Sequence, residues 1–187
     1  MIESEIKILL IEDSETDAML IKRQIAKIAN NVTFMLAMDL SEIEAKLRVF
    51  TPDIILCDYN LPRCTGMEVL ELIRKISPTT TFIFVTGSIN NEELAANTIL
   101  NGASGYILKK NMSNLHTRLL PYLQAVEKNS SIRSSARRRV EESKEAVVII
   151  EEFLKNSFEE NEIHKESIKK IKDDLFKLRQ KYDAEDS

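Results

Sequence analysis

Reactive side chains recur at one kind of place in this chain, the end of a short apolar run. Glu12 and Asp13 follow Ile6–Ile11, Asp58 follows Ile54–Cys57, Thr86 closes Thr81–Thr86 ahead of Gly87 and Ser88, and Lys109 and Lys110 follow 106–108. If these runs are parallel strands of one open sheet, ligands bind beyond their carboxyl ends. Three carboxylates, a hydroxyl and an ammonium then share one rim. Crowded carboxylates repel each other, and a hard cation with oxygen ligands relieves this; Mg²⁺ fits that description. The hydroxyl and ammonium opposite would hold phosphoryl oxygens. The set suits in-line phosphoryl transfer to a carboxylate, where catalysis is mostly positioning and charge neutralisation. Any one of these carboxylates alone reads as a solvated loop residue; the joint placement carries the argument.

The elements that must position them follow from periodicity. The runs at 6–11, 32–37, 54–57, 81–86 and 106–108 are short, β-branched or aromatic, and several are apolar on both faces. Strands of a parallel sheet look like this when helices cover both sides. Helical stretches with start signals lie between them. Ser14 precedes 15–29, Ser41 with Glu44 makes a capping box before 43–50, and Thr65 precedes 67–76. Asn90 with Glu93 opens 91–101, with Gly102 as its stop, and Ser113 opens a helix to about 128 in which Pro121 is a local irregularity. Five βα units are too few for an eight-stranded barrel and favour a doubly wound α/β sheet.

Composition sets the outer limits. Hydrophobic residues make up 43% and charged residues 30%, which places the chain among globular proteins rather than disordered ones. No apolar run is long enough for a membrane span, and residues 1–7 carry no secretory signal. A net charge of −4 gives no reason to expect nucleic acid as a partner. Cys57 and Cys64 lack the neighbours of a zinc site and form no disulfide framework, so a reduced, cytoplasmic setting is expected. All four glycines fall before residue 106, and the last proline is Pro121. Two segments are therefore expected, 1–128 with the βα texture and 129–187 as helix rich in Glu, Lys, Ile and Leu.

Several motifs resemble the receiver domain of two-component response regulators. They are Ile8-Leu9-Leu10-Ile11-Glu12-Asp13, Asp58-Tyr59-Asn60-Leu61-Pro62 with Gly66, Phe84-Val85-Thr86-Gly87, and Gly102-Ala103 with Tyr106-Ile107-Leu108-Lys109. The resemblance covers roughly residues 5–127 and implies a flavodoxin-like sheet of order 2-1-3-4-5. It implies that Asp58 is the phosphoacceptor and that Asp13, Glu12, Asp58 and the backbone carbonyl of Asn60 hold Mg²⁺. Thr86 and Lys109 would contact phosphoryl oxygens, Gly87 would keep the approach to Asp58 open, and Thr86 with Tyr106 would form the switch. A histidine kinase or phosphotransfer protein is the implied partner. Where the family often has Pro after the lysine, this chain has Lys110, which leaves the shape of the following loop open.

The C-terminal segment matches no familiar output domain. Arg133, Arg137, Arg138 and Arg139 form a basic cluster, read as a solvated helix face. A heptad places Val140, Val147, Leu154, Asn161, Ile168, Leu175 and Tyr182 at one position. Ser143, Ile150, Ser157, His164, Ile171 and Leu178 stand three later. A coiled coil or bundle face is expected, with a homodimer as its consequence. Ser157 and Glu160 form a capping box, so a break near Asn156 into a hairpin is the alternative. His164 is read as a heptad or surface residue, since it lacks the small neighbours that a phosphotransfer histidine would need. The functional expectation is a phosphoacceptor switch rather than an enzyme. The alternatives are a receiver fragment of a larger sensory or hybrid kinase, and an aspartate-nucleophile phosphohydrolase. The latter usually needs a second acid two residues after the nucleophile, and that position is Asn60.

Overall fold

The computed structural model describes residues 1–87, 92–160, 169–171 and 173–176. Five strands, β1 (Ile6–Ile11), β2 (Val32–Ala37), β3 (Ile54–Cys57), β4 (Thr81–Thr86) and β5 (Gly105–Leu108), form one sheet in the order β2-β1-β3-β4-β5. All its pairings are parallel. Between the strands run α1 (Glu15–Ile25), α2 (Leu40–Leu47), α3 (Gly66–Ile76) and α4 (Glu92–Leu100). α5 (Leu115–Glu160) follows a 3-10 turn at Lys109–Asn114. The strand pattern led to a doubly wound parallel sheet, and the order is the flavodoxin-like one that the receiver resemblance implied.

Alternation along the strands builds two apolar layers. Ile8 and Leu10 of β1 join Ile21 and Ile25 of α1 and Leu115, Leu119 and Leu123 of α5 on one face. Leu9 and Ile11 join Val69, Leu70 and Ile73 of α3 and Phe82 and Phe84 of β4 on the other. Both faces are covered, which is why these strands read as nearly continuous apolar runs.

Helix starts follow local chemistry. Ser14 Oγ accepts from the Asp17 amide, and Thr65 with Glu68 makes a reciprocal capping box on α3. At α2 the expected cap is displaced. Asp39, not Ser41, is the N-cap, its carboxylate accepting from the Glu42 amide at 3.0 Å while the Ser41 hydroxyl donates to the same oxygen. A carboxylate accepts these bonds more strongly than a hydroxyl, and Arg63 anchors its second oxygen at 2.9 Å. α1 ends at Ile25 rather than at 29. Gly102 takes a φ of 97°, just past α4, as its place at the helix stop requires. The expected start of α4 at Asn90 and Asn91 lies outside the described residues. Helix opens at Leu115 instead of Ser113, because the preceding residues take the tighter 3-10 form.

Contacts divide the chain into two units, Met1–Ser130 and Ser131–Ser187. In the first, Leu115, Leu119, Leu123 and Val126 bury one stripe of α5, and the helix runs through Pro121 on its exposed side. In the second, the backbone stays helical past Asn156 and Ser157 to Glu160, so the capping box there does not open a new helix. Residues 169–171 and 173–176 are helical as well. Asn161, His164, Ile168, Leu178 and Tyr182 lie outside the described residues. Among the described residues no helix is long and apolar enough to cross a membrane.

Candidate functional site

β1 and β3 are central neighbours with Ile11 opposite Cys57, so the next residues, Glu12 and Asp58, leave the sheet side by side. The ladder reaches both: Glu12 donates its amide to Ala37 O at 3.1 Å, and Asp58 to Ile11 O at 2.9 Å. β4 and β5 pair with Thr86 opposite Leu108, which brings Thr86 and Lys109 to the same rim. Register alone assembles the constellation.

Lys109 is its centre. Its Nζ lies 2.7 Å from Glu12 Oε2, 2.7 Å from Asp58 Oδ2 and 2.7 Å from Asp17 Oδ2. Burial works against this ammonium, but the hydrogen bonds to Asp17, Asp58 and Glu12 outweigh it and hold the pKa well above the ordinary lysine value. Glu12 goes the other way. Burial raises its carboxyl above the usual value more than Lys109 lowers it, and the nearby Asp58 charge adds to the rise. The remaining oxygens are also placed: Glu12 Oε1 accepts from the Ser14 amide at 3.2 Å, and Asp58 Oδ1 from the Asn60 amide at 3.3 Å.

Glu12, Asp13 and Asp58 each offer a carboxylate oxygen, and these oxygens lie within 4.8 Å of one another. Asp13 is exposed and engages no other side chain among the described residues. An all-oxygen donor set of this charge fits a hard divalent cation. Thr86 is fully buried, and its Oγ1 has no hydrogen-bond partner among the described residues. A buried hydroxyl left this way costs roughly 1–3 kcal/mol, so its position suits an acceptor delivered from outside the chain. The Tyr106 hydroxyl is likewise shut off from solvent and unpartnered among the described residues. Its ring sits 6.4 Å from Phe84, and burial, then the charges of Asp58 and Tyr59, push its phenol up to about 12.

The loop after β3 is held tightly. Asn60 bridges to Thr65, and the Gly66 amide donates to Tyr59 O at 2.8 Å. A Cβ at Gly66 would meet Phe84 Cε1 at 2.6 Å and Tyr59 Cα at 2.9 Å, so only glycine fits. At Gly87 a Cβ would meet Lys109 Cδ at 3.9 Å, an ordinary contact, so space alone does not demand glycine there. The Cys57 thiol donates to Asp58 O at 2.9 Å, and burial raises its pKa far above the free value, which keeps it an unreactive thiol.

The structure thus brings Glu12, Asp13, Asp58, Thr86 and Lys109 together, with Asn60 and Tyr106 beside them. Ser88 lies outside the described residues. Sequence reasoning missed Asp17. Its position four residues after Asp13, on the first turn of α1, was the available signal, since that turn opens from the same rim.

The family model for the response regulator receiver domain matches residues 8–120. The chain belongs to that family. Among curated relatives, this receiver is 32% identical over 96 residues to the uncharacterized transcriptional regulatory protein YxjL of Bacillus subtilis, covering 51% of this chain and 42% of that protein. The chain spans less than half the length of the first curated relatives it matches. Among solved structures, the phosphorylated cyanobacterial phytochrome response regulator RcpA is 29% identical with a TM-score of 0.56, over 64% of this chain and 91% of that one. The Mn²⁺-bound form of the response regulator Rcp1 is 25% identical with a TM-score of 0.52, over 62% of this chain and 90% of that one.

Proposed function

We propose that this receiver accepts a phosphoryl group on Asp58 in a Mg²⁺-dependent reaction, with a histidine kinase or phosphotransfer protein as donor. The observation that carries this is the Asp58 carboxylate, 2.7 Å from Lys109 and within the acidic cluster of Glu12 and Asp13. In the transfer, an Asp58 oxygen attacks phosphorus in line. The bond from phosphorus to the donor breaks, and the leaving atom departs with the electron pair. Asp13, Glu12 and Asp58, with the Asn60 carbonyl, would hold the cation, which supplies positive charge for the phosphoryl oxygens. Lys109 and the Thr86 hydroxyl, unpartnered among the described residues, would take two of those oxygens. The solved Mn²⁺-bound relative and the phosphorylated one support this assignment. Turnover of an outside substrate is no part of it: with Asn60 two residues after Asp58, no acid stands there to protonate a leaving group. Free Cys57 and Cys64 fit a reducing cytoplasm.

The test is incorporation of radiolabelled phosphate from a small acyl phosphate, with and without Mg²⁺. Asp13→Ala should lose most of the labelling and weaken Mg²⁺ binding at least ten-fold by calorimetry, because Asp13 is the carboxylate least engaged by the protein. Unchanged Mg²⁺ affinity in that variant would remove Asp13 from the cation site.

We further propose that 1–128 is the phosphoacceptor domain and that the helices of 129–187 carry the output as a homodimer. Among the described residues of the second unit, Val148, Ile149, Ile150, Ile171 and Phe176 are 45–66% exposed. Burying each against a second copy would contribute roughly 1.5–3 kcal/mol for full burial, less for partial. Movement of Thr86 toward the phosphoryl group and of Tyr106 after it would reach α5 through β5. Sedimentation of the full chain beside one stopped near Lys128 checks the dimer. A monomeric full chain at tens of micromolar, or equal association of the shortened one, would remove dimerisation from the helices.

A further inference from the structure

Resting on the phosphoacceptor reading of Asp58, we propose that Asp17 is a releasable latch on Lys109, a positioning residue that sets how fast the chain is phosphorylated. An ammonium has three donors, and all three are taken, by Glu12, Asp58 and Asp17, each at 2.7 Å. An arriving phosphoryl oxygen therefore finds no free donor, and one carboxylate must let go while Asp58 is still an anion. The three are not equal. The Glu12 side chain is 1% exposed and that of Asp58 11%, whereas that of Asp17 is 33% exposed. Water can solvate Asp17 on release and cannot reach Glu12, whose second oxygen is fixed by the Ser14 amide.

The local structure of α1 aims Asp17 at this task. With Ser14 as N-cap, Asp17 is the third helical residue, where an acid commonly turns back to the N-cap amide. Here Glu12 occupies that amide. Asp17 gives only its backbone amide to Ser14 Oγ, and its carboxylate goes to Lys109. The latch holds before transfer and is open once Lys109 has moved to the phosphoryl group. It therefore slows loading without touching hydrolysis of the acyl phosphate.

The experiment measures, on the full chain, labelling by acetyl phosphate at saturating Mg²⁺, then loss of label after the donor is removed. Asp17→Asn should load about five-fold faster, equivalent to about 1 kcal/mol for a partly exposed ion pair, with decay unchanged. Asp17→Glu keeps the charge within reach and should restore slow loading. Glu15→Gln removes a like charge from the same helical turn, and Glu15 has no bond to Lys109 among the described residues, so it should leave both phases alone. If wild-type chain takes no label, the acceptor reading fails and the latch with it. If wild type labels but Asp17→Asn loads no faster, or changes loading and decay alike, the latch is overturned and the acceptor stands. Equal acceleration by Glu15→Gln would assign the effect to general charge and also overturn the latch.

Discussion

Asp58→Asn should leave no acyl phosphate on the chain after exposure to a phosphodonor and Mg²⁺, while the fold persists. The amide nitrogen and oxygen match the carboxylate in size but supply no anionic nucleophile. The competing carboxylates are poorly placed to substitute. Glu12 is buried with both oxygens engaged, by Ser14 and Lys109. Asp13 would be committed to the cation. Stability should change by no more than about 1 kcal/mol, since Lys109 keeps Glu12 and Asp17 while a crowded negative charge is removed. Intact-mass measurement and hydroxylamine sensitivity, with a thermal melt for the fold, check this. Acyl phosphate at the wild-type level in the variant would move the acceptor elsewhere.

Lys109→Met should have the largest effect on stability. The side chain of Lys109 is 9% exposed and faces the three carboxylates alone among the described residues. Removing one partner of a buried ion cluster costs about 3–5 kcal/mol. For a chain of this length that lowers Tm by roughly 6–20 °C. The pH dependence has a definite sign. Glu12 already has a raised folded pKa, and losing Lys109 removes two of the three influences that lower it, leaving only the Ser14 amide. A carboxyl with a raised folded pKa binds more protons folded than unfolded, so stability falls as pH rises through the carboxylate range toward neutrality. The penalty should be larger at pH 7.5 than near pH 5. In the wild type Lys109 contributes stability that is full below the ordinary lysine pKa and is lost as pH rises from there to its raised value. Phosphate loading should fall at least a hundred-fold, as expected for loss of a charged group that contacts the transferring phosphoryl. Denaturant melts at the two pH values decide the matter; equal losses at both would show that the carboxylates do not depend on Lys109.

Most of the rim could be read in the sequence because a parallel sheet makes strand ends converge. Ile6–Ile11, Ile54–Cys57 and Thr81–Thr86 end where their apolar runs end, so Glu12, Asp58 and Thr86 follow without further information. Ser14 and Thr65 were equally legible, each standing directly before the first residue of its helix. Asp39 and Ser41 compete two residues apart, and Arg63, 24 residues further on, helps to fix Asp39. That contact is tertiary and has no local signature. Asp17 was hidden for a related reason. Its spacing fits an ordinary first-turn acid, and only the prior claim of Glu12 on the Ser14 amide sends it to Lys109. The hydroxyls of Thr86 and Tyr106, unpartnered among the described residues, were predictable in position but not in burial, which is a tertiary property.

Cys57 turns the centre of the sheet into its own reporter. It precedes Asp58, is fully buried, and spends its thiol on the Asp58 carbonyl. A thiol with so high a pKa offers almost no thiolate at neutral pH. An alkylating reagent can reach it only when β3 separates from its neighbours. The rate of Cys57 modification therefore counts openings of the strand that carries Asp58, in a molecule that needs no added probe. Ligands that close the rim would register as a slower clock at a residue they never touch.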